Sequence, residues 1–236
     1  MLLALEQIIV PPGHQLLLKN VSWQQFQDIL ESLGESRSAR LSYSQGTLEI
    51  MTPLPEHEDD KVIIGDFVKA ILEEMDIEFR SLGSTTFENE AMKQAVEPDD
   101  CFYIQNEARI RGKKRLNLEI DPPPDLAIEI DITSRTKFNN YEELRVVELW
   151  RYDGRKLEIN ILQSGRYVQS DTSLAFPNLL IANALHDFVE QSKISGRNAT
   201  MKAFRAWVRE QLTQRRSPLS SKVRTPAFGL TDIPPL

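Results

Sequence analysis

The chain reads as an α/β protein: a mixed β-sheet flanked by helices, led by an N-terminal helix and β-hairpin and closed by C-terminal helices. Three observations predict this. Helical and strand periodicities are interspersed along the chain and do not segregate into separate blocks. From Asp125 to Ile132, acidic or small residues alternate with aliphatic ones without a break, the period of a strand. Short apolar runs meet at tight-turn signals, Ser44-Gln45-Gly46 and Asp153-Gly154.

Each element has its own reason. Residues 1–20 form an irregular or extended arm, broken by Pro11-Pro12-Gly13. Ser22 can cap a helix over 23–33, in which Trp23, Phe26, Ile29, Leu30 and Leu33 share a face and Gly34 ends it. Residues 40–43 and 47–52 form the hairpin. A second helix over 58–75 has a broad apolar face and an acidic start, Glu56, Glu58, Asp59 and Asp60, that suits a helix N-terminus. Short strands follow over 78–81, 85–89, 101–104, 117–120 and 126–132. A short helix over 137–146 precedes strands over 148–152 and 156–163, and helices over 182–193 and 198–212 complete the domain. One domain over 21–213 and a flexible Ser- and Pro-rich tail over 214–236 are expected.

Composition sets bounds on function. The 236 residues carry a formal charge of −7, with 41% apolar and 27% charged residues. No apolar run approaches the roughly 18 residues of a membrane span, and the first ten residues have no basic leader, so a soluble, cytoplasmic protein without a membrane partner is expected. The lone Cys101 lies in an apolar run and reads as a buried thiol; one cysteine and three scattered histidines argue against a structural zinc site. Net acidity argues against general nucleic-acid affinity, but Arg109-Ile110-Arg111-Gly112-Lys113-Lys114-Arg115 holds five basic residues in seven. Such a run is either a solvated loop or a phosphate contact. Trp23, Trp150 and Trp207 fall on apolar faces and read as core.

The chemistry gathers on the alternating strand. Asp125, Ala127, Glu129 and Asp131 share one face, and acids so placed repel one another unless a cation lies among them. Asp99, after Glu97-Pro98, opens another strand. Neighbouring strands are about 4.8 Å apart, so if these two pair, Asp99 and Glu129 can share a divalent ion. Oxygen ligands without Cys or His point to Mg²⁺ or Mn²⁺.

Five ordered blocks carry a resemblance: 48–53, the helix after His57, Glu97-Pro98-Asp99, 124–129 and 148–153. Together they resemble the bacterial Uma-two family of restriction-endonuclease-like proteins, within the PD-(D/E)xK nuclease superfamily. The resemblance covers about residues 21–188. It implies a restriction-endonuclease-like fold and a Mg²⁺- or Mn²⁺-dependent endonuclease acting on DNA, with Asp99 and Glu129 as the metal-binding acids. It also suggests Glu58 as an extra metal-site acid, against ordinary helix-start electrostatics, and His57 as a substrate or water contact, against a surface histidine. The basic residues Arg109, Arg111, Lys113, Lys114 and Arg115 are candidate DNA contacts, since their run joins the Asp99 and Glu129 strands.

One position departs from the superfamily pattern. Where a lysine is expected two residues after the acid, this chain has Asp131, which cannot donate positive charge to the transition state. Asp131 is either a further metal ligand or a salt-bridge partner. Lys137, near the start of the next helix after a Ser134 or Thr136 cap, is the nearest substitute for orienting the water, or else an ordinary helix residue. Tyr141 shares its face and reads as a core aromatic. The alternative function is a catalytically inactive nuclease-fold module that binds nucleic acid or protein; a phosphohydrolase of small nucleotides would need a closed pocket. Cutting both strands takes two sites, which a homodimer would supply, although no motif points to one.

Overall fold

The computed structural model describes residues 8–34, 39–132 and 138–214. The described chain runs β1 (Gln15–Lys19), α1 (Trp23–Leu33), β2 (Arg40–Ser44), β3 (Thr47–Met51), α2 (Pro55–Glu74), β4 (Arg80–Ser81), β5 (Phe87–Asn89) and β6 (Gln94–Val96). It continues with β7 (Asp100–Tyr103), α3 (Glu107–Ile110), β8 (Leu126–Ile130), α4 (Phe138–Glu143), β9 (Glu148–Tyr152), β10 (Leu157–Gln163), β11 (Arg166–Ser170), α5 (Ile181–Ser195) and α6 (Arg197–Gln214). Two sheets result, in the orders β1-β3-β2-β6-β5 and β11-β10-β9-β8-β7-β4.

The first sheet packs one face on α1. Ser22 caps that helix with a reciprocal capping box, and Gly34 closes it at φ 69°, a conformation glycine adopts without strain. Its apolar stripe puts Phe26 on Tyr43, with ring centroids 4.9 Å apart, while Trp23 meets the same tyrosine edge-on. The other face of β2 is polar: Arg40, Ser42 and Ser44 alternate with Leu41 and Tyr43. Asn140 of α4 donates to Ser42 Oγ, and Asn139 donates to Ser44 Oγ at 3.4 Å, so α4 is pinned over that polar face.

The second sheet is antiparallel except for the β8–β9 pair, which α4 connects. Helices α2, α5 and α6 cover one face, where Leu126, Ile128 and Ile130 of β8 join Ile64, Phe67, Ile71, Phe204 and Val208 in the largest core. On the other face Ala127 packs with Cys101, Tyr141 and Leu149. β8 is thus a central strand buried on both faces, and its acidic face carries a second core as well as carboxylates. Ion pairs fasten α6 to α2: Arg197 to Asp66, Arg205 to Glu73 and Glu74, and Arg209 to Glu74. Among the described residues, no helix is long and apolar enough to cross a membrane.

Several elements differ from the sequence reading. β1 arises inside the expected arm because its residues pair with β3 from Gln15↔Met51 to Lys19↔Thr47. β6 is only three residues long, too short to show a period, and exists by pairing with both β2 and β5. β11 is an exposed edge strand held by its hairpin with β10. α3 is a single turn. Residues 117–120 are a turn and not a strand, since Asp121 folds back to accept from Asn117 N at 3.0 Å and Ile120 is 75% exposed. α2 starts at Pro55, three residues early, because a proline at the first helical position loses no hydrogen bond. That extra turn brings His57 inside the helix and moves Glu58 from its first residue to its fourth.

Candidate nuclease site

The site lies where the chain crosses between the sheets. β6 ends at Val96, Glu97-Pro98-Asp99 crosses, and β7 begins at Asp100. Glu97 pins the crossing: one carboxylate oxygen accepts from Leu41 N at 3.0 Å and the other from Thr86 Oγ1 at 2.5 Å. β7 pairs antiparallel with β8, Asp100 facing Ile128, so the register carried one residue further sets Asp99 opposite Glu129. Two main-chain bonds lock that apposition. Asp99 N donates to Ile128 O at 3.1 Å, and Ile130 N donates to Asp99 Oδ2 at 2.8 Å.

The two acids then diverge in environment. Asp99 is 2% exposed and has cations beside it: His57 Nε2 lies 3.1 Å from Oδ2 and Arg40 Nε 3.8 Å from Oδ1. Glu129 has instead a neutral partner, the Tyr141 hydroxyl, which donates to its Oε1. Opposed carboxylates about 5 Å apart repel by about 3 kcal/mol at an effective dielectric of 20. Burial, followed by the charge on Asp99, accordingly holds the Glu129 carboxyl well above the usual carboxylate range, against the opposing pull of the Tyr141 hydrogen bond. The two acids of the pair thus sit in unlike surroundings, cations beside Asp99 and a hydroxyl beside Glu129.

His57 is not a surface histidine. It is 1% exposed, in the first turn of α2, and its Nδ1 lies 3.7 Å from Glu58 Oε1. Burial alone would keep the imidazole neutral, but Asp99 and Glu58 on its two sides push its pKa up to about 9. Glu58 is drawn down to about 2, chiefly by His57 and then by Lys61 and Arg40. Its oxygens are engaged by Arg40 Nη2 at 3.2 Å and Lys61 Nζ at 3.0 Å, so Glu58 stands in a ring of cations outside the carboxylate pair. Lys61 also donates to Ser84 Oγ, which donates in turn to the main-chain oxygen of Asp99.

The remaining candidates separate clearly. Of the two roles open to Asp131, the structure shows the salt bridge: Arg151 Nε donates to its Oδ2 at 2.6 Å, both side chains being buried. Arg151 stands in register with Glu129 across the parallel pair, so the positive charge missing at 131 arrives from β9, already neutralised. Lys137 lies outside the described residues. Tyr141 is buried at 1% exposure, as expected of a core aromatic, but its hydroxyl serves Glu129, which the sequence reading missed.

The basic run does not join the site. It follows the C-terminal end of β7 whereas Asp99 precedes the N-terminal end, about 13 Å of strand away. Arg111 is paired with Glu107, Lys113 with Asp121, and Arg109 with Asn106, while Lys114 and Arg115 are exposed. Asp125, at that same far end, accepts from Ile104 N, Asn106 N and Asn106 Nδ2 and shapes the loop. Arg40 and Lys61 were not singled out from the sequence. Signals existed for both: Arg40 opens a strand face that continues with Ser42 and Ser44, and Lys61 follows His57 by four residues and Glu58 by three.

The Uma2 family, described as "Putative restriction endonuclease", matches residues 23–195. The chain belongs to the Uma2 family. Its matched region contains every residue of the site, from Arg40 to Arg151. A solved structure described as "a putative nuclease belonging to DUF820 from Anabaena variabilis ATCC 29413" is similar to this Uma2 chain at 16% identity and a TM-score of 0.45, covering 74% of this chain and 97% of that one. Among curated proteins, none matches.

The donor set fits a hard divalent cation. Two opposed carboxylates, one of them with its pKa raised by burial and by the other's charge, are short of positive charge between them. Among the described residues no group of three or more His, Cys, Asp and Glu side chains forms a ready cage, so main chain and solvent would complete the coordination of an ion held by Asp99 and Glu129.

Proposed function

We propose that this Uma2 protein is a Mg²⁺- or Mn²⁺-dependent endodeoxyribonuclease. The apposition of Asp99 and Glu129 across β7 and β8, locked by the Ile130 N–H, is the observation that carries the reading. Asp99 and Glu129 would hold the ion, whose chemistry when bound is to polarise a phosphoryl oxygen and acidify a water. Water oxygen bonds to phosphorus as one ester P–O bond breaks, and the leaving oxygen takes up a proton.

The chain's own residues prepare that reaction. Ile130 N and His57 fix the rotamer of Asp99, and Tyr141 fixes that of Glu129, so neither carboxylate has to be ordered when substrate arrives. Lys137, four residues before Tyr141, is assigned the orienting of the attacking water. Glu58 is assigned the holding of Arg40, His57 and Lys61 around Asp99. DNA cut in both strands would be handled by two copies of the chain.

The test is cleavage of supercoiled plasmid in Mg²⁺ or Mn²⁺ by wild type, Asp99→Ala, Glu129→Ala and Lys137→Ala. Expected is nicking by wild type that chelator abolishes and that both acid variants lack. Cleavage persisting in purified Asp99→Ala and Glu129→Ala removes the site; cleavage kept in Lys137→Ala alone removes the role of that lysine. One observation favours a second reading, a binding module without catalysis: Asp131 stands in the lysine's place, tied to Arg151. DNA binding by wild type with no cleavage in any divalent metal would establish that reading instead.

A further inference from the structure

We propose that Arg40 is the phosphate-contacting residue of the site, holding a non-bridging oxygen of the phosphodiester beside Asp99. The inference rests on the nuclease reading for its substrate. Its own support is a buried guanidinium nitrogen that makes no hydrogen bond among the described residues.

Arg40 Nε is buried and makes no hydrogen bond among the described residues; Asp99 Oδ1 stands 3.8 Å from it, an ion-pair distance. A buried, charged donor without an acceptor is uncommon, and at a site it marks where a ligand atom belongs. The rest of the guanidinium is fixed. Nη2 donates to Glu58 Oε1 at 3.2 Å, and the side chain as a whole is 18% exposed.

The backbone under Arg40 is equally fixed. Arg40 pairs with Met51 of β3, and the next residue, Leu41, donates its N–H to Glu97, two positions before Asp99. β2 is therefore anchored to the crossing segment that carries Asp99. Of the other cations there, Lys61 bonds Glu58 and Ser84 and Arg151 bonds Asp131, while the His57 ring, also without a hydrogen bond among the described residues, is flanked by carboxylates on both sides, Asp99 and Glu58. A planar fork with one edge held by Glu58 and Nε left over suits a tetrahedral phosphate oxygen better than a point charge does. The charge lost at position 131 is thus replaced from the other sheet.

The experiment compares wild type with Arg40→Lys, Arg40→Gln and Arg40→Ala, each checked by far-UV circular dichroism and melting. Binding of a short labelled duplex in Ca²⁺ is followed by anisotropy across a salt series, and cleavage is followed in Mn²⁺. The Gln variant keeps a donor for Glu58 without charge. Expected is cleavage about 100-fold slower in Gln and Ala, as for loss of a preorganised oxyanion donor. The slope of log affinity against log salt should fall in magnitude by about 1 in those two and stay unchanged in Lys. Folded Gln and Lys variants that both bind and cleave as wild type does would overturn the proposal and leave Arg40 a brace between β2 and α2. Duplex binding that depends on Arg40 while wild type cleaves nothing would retain the proposal and overturn the nuclease reading. A wild type that binds no duplex would overturn both.

Discussion

His57 Nε2 lies 3.1 Å from Asp99 Oδ2, a cation contact that Glu129 across the strand pair does not share. Asp99 has a cation against it; Glu129, directly opposite, has a hydroxyl. The asymmetry comes from two helices on opposite faces of the sheet, α2 bringing the imidazole and α4 the phenol.

The His57 and Glu58 contacts make metal-free stability depend on pH in two windows. His57, raised from 6.5 to about 9, stabilises fully below 6.5, and this contribution disappears as pH rises through 9. Glu58, lowered from 4.5 to about 2, stabilises fully above 4.5, and this contribution disappears as pH falls through 2. Urea unfolding in chelator should therefore give its midpoint plateau between these windows. His57→Gln should flatten the alkaline limb, and an unchanged limb would show that His57 is neutral in the folded state.

Tyr141→Phe removes the donor to Glu129 and nothing else of size. A buried acceptor left without its partner costs about 1–3 kcal/mol, so a lower melting temperature is expected. The proton on Glu129 should also bind more tightly, and the Mn²⁺ concentration for half-maximal cleavage should rise, most visibly at low pH. A variant with wild-type metal dependence would leave Tyr141 a packing residue alone.

Asp131→Lys installs the superfamily residue and should not raise plasmid cleavage above that of wild type. It sets a second cation against the buried Arg151, whose loss of a partner costs about 3–5 kcal/mol. Asp131→Ala and Arg151→Ala should each destabilise more than half as much as the double variant does, giving a coupling energy in urea unfolding. Additive effects would mean that the pair contributes nothing as a pair.

Gly65→Ala should destabilise, although alanine is the better helix former by about 1 kcal/mol. A Cβ there would stand 2.5 Å from Asp100 Oδ2, the residue beside Asp99. Asp100 cannot easily yield, since its Oδ1 accepts from Cys101 N and Ser81 Oγ. Overpacking of this kind costs about 1–3 kcal/mol, and pairing the change with Asp100→Ala should recover part of the loss in a thermal melt.

Local pattern carried much of the fold. The 23–33 helix, with its Ser22 cap, agrees with the sequence reading residue for residue, and the 40–52 hairpin and β9 agree to within a residue. The strands that were missed, β1, β6 and β11, are short or at an edge, and pairing rather than alternation makes them strands. At the site, Asp99 and Glu129 were legible from their strand positions. Arg40 and Lys61 were signalled only by spacing, and the hydroxyl of Tyr141 not at all, because Arg40 and Tyr141 act on residues of other elements and Lys61 also reaches Ser84 outside its helix.

The sequence alone determined which residues could be acidic ligands, which faces were apolar, and that no lysine follows Glu129 by two. Only the tertiary structure decided that Asp99 stands opposite Glu129, that His57 is buried against it, that Asp131 pairs with Arg151, and that the basic run lies at the far end of the strand. The reason is range. Periodicity and capping are set within a few residues, whereas a charge takes its meaning from neighbours brought by other strands and helices, and from the water that their packing excludes.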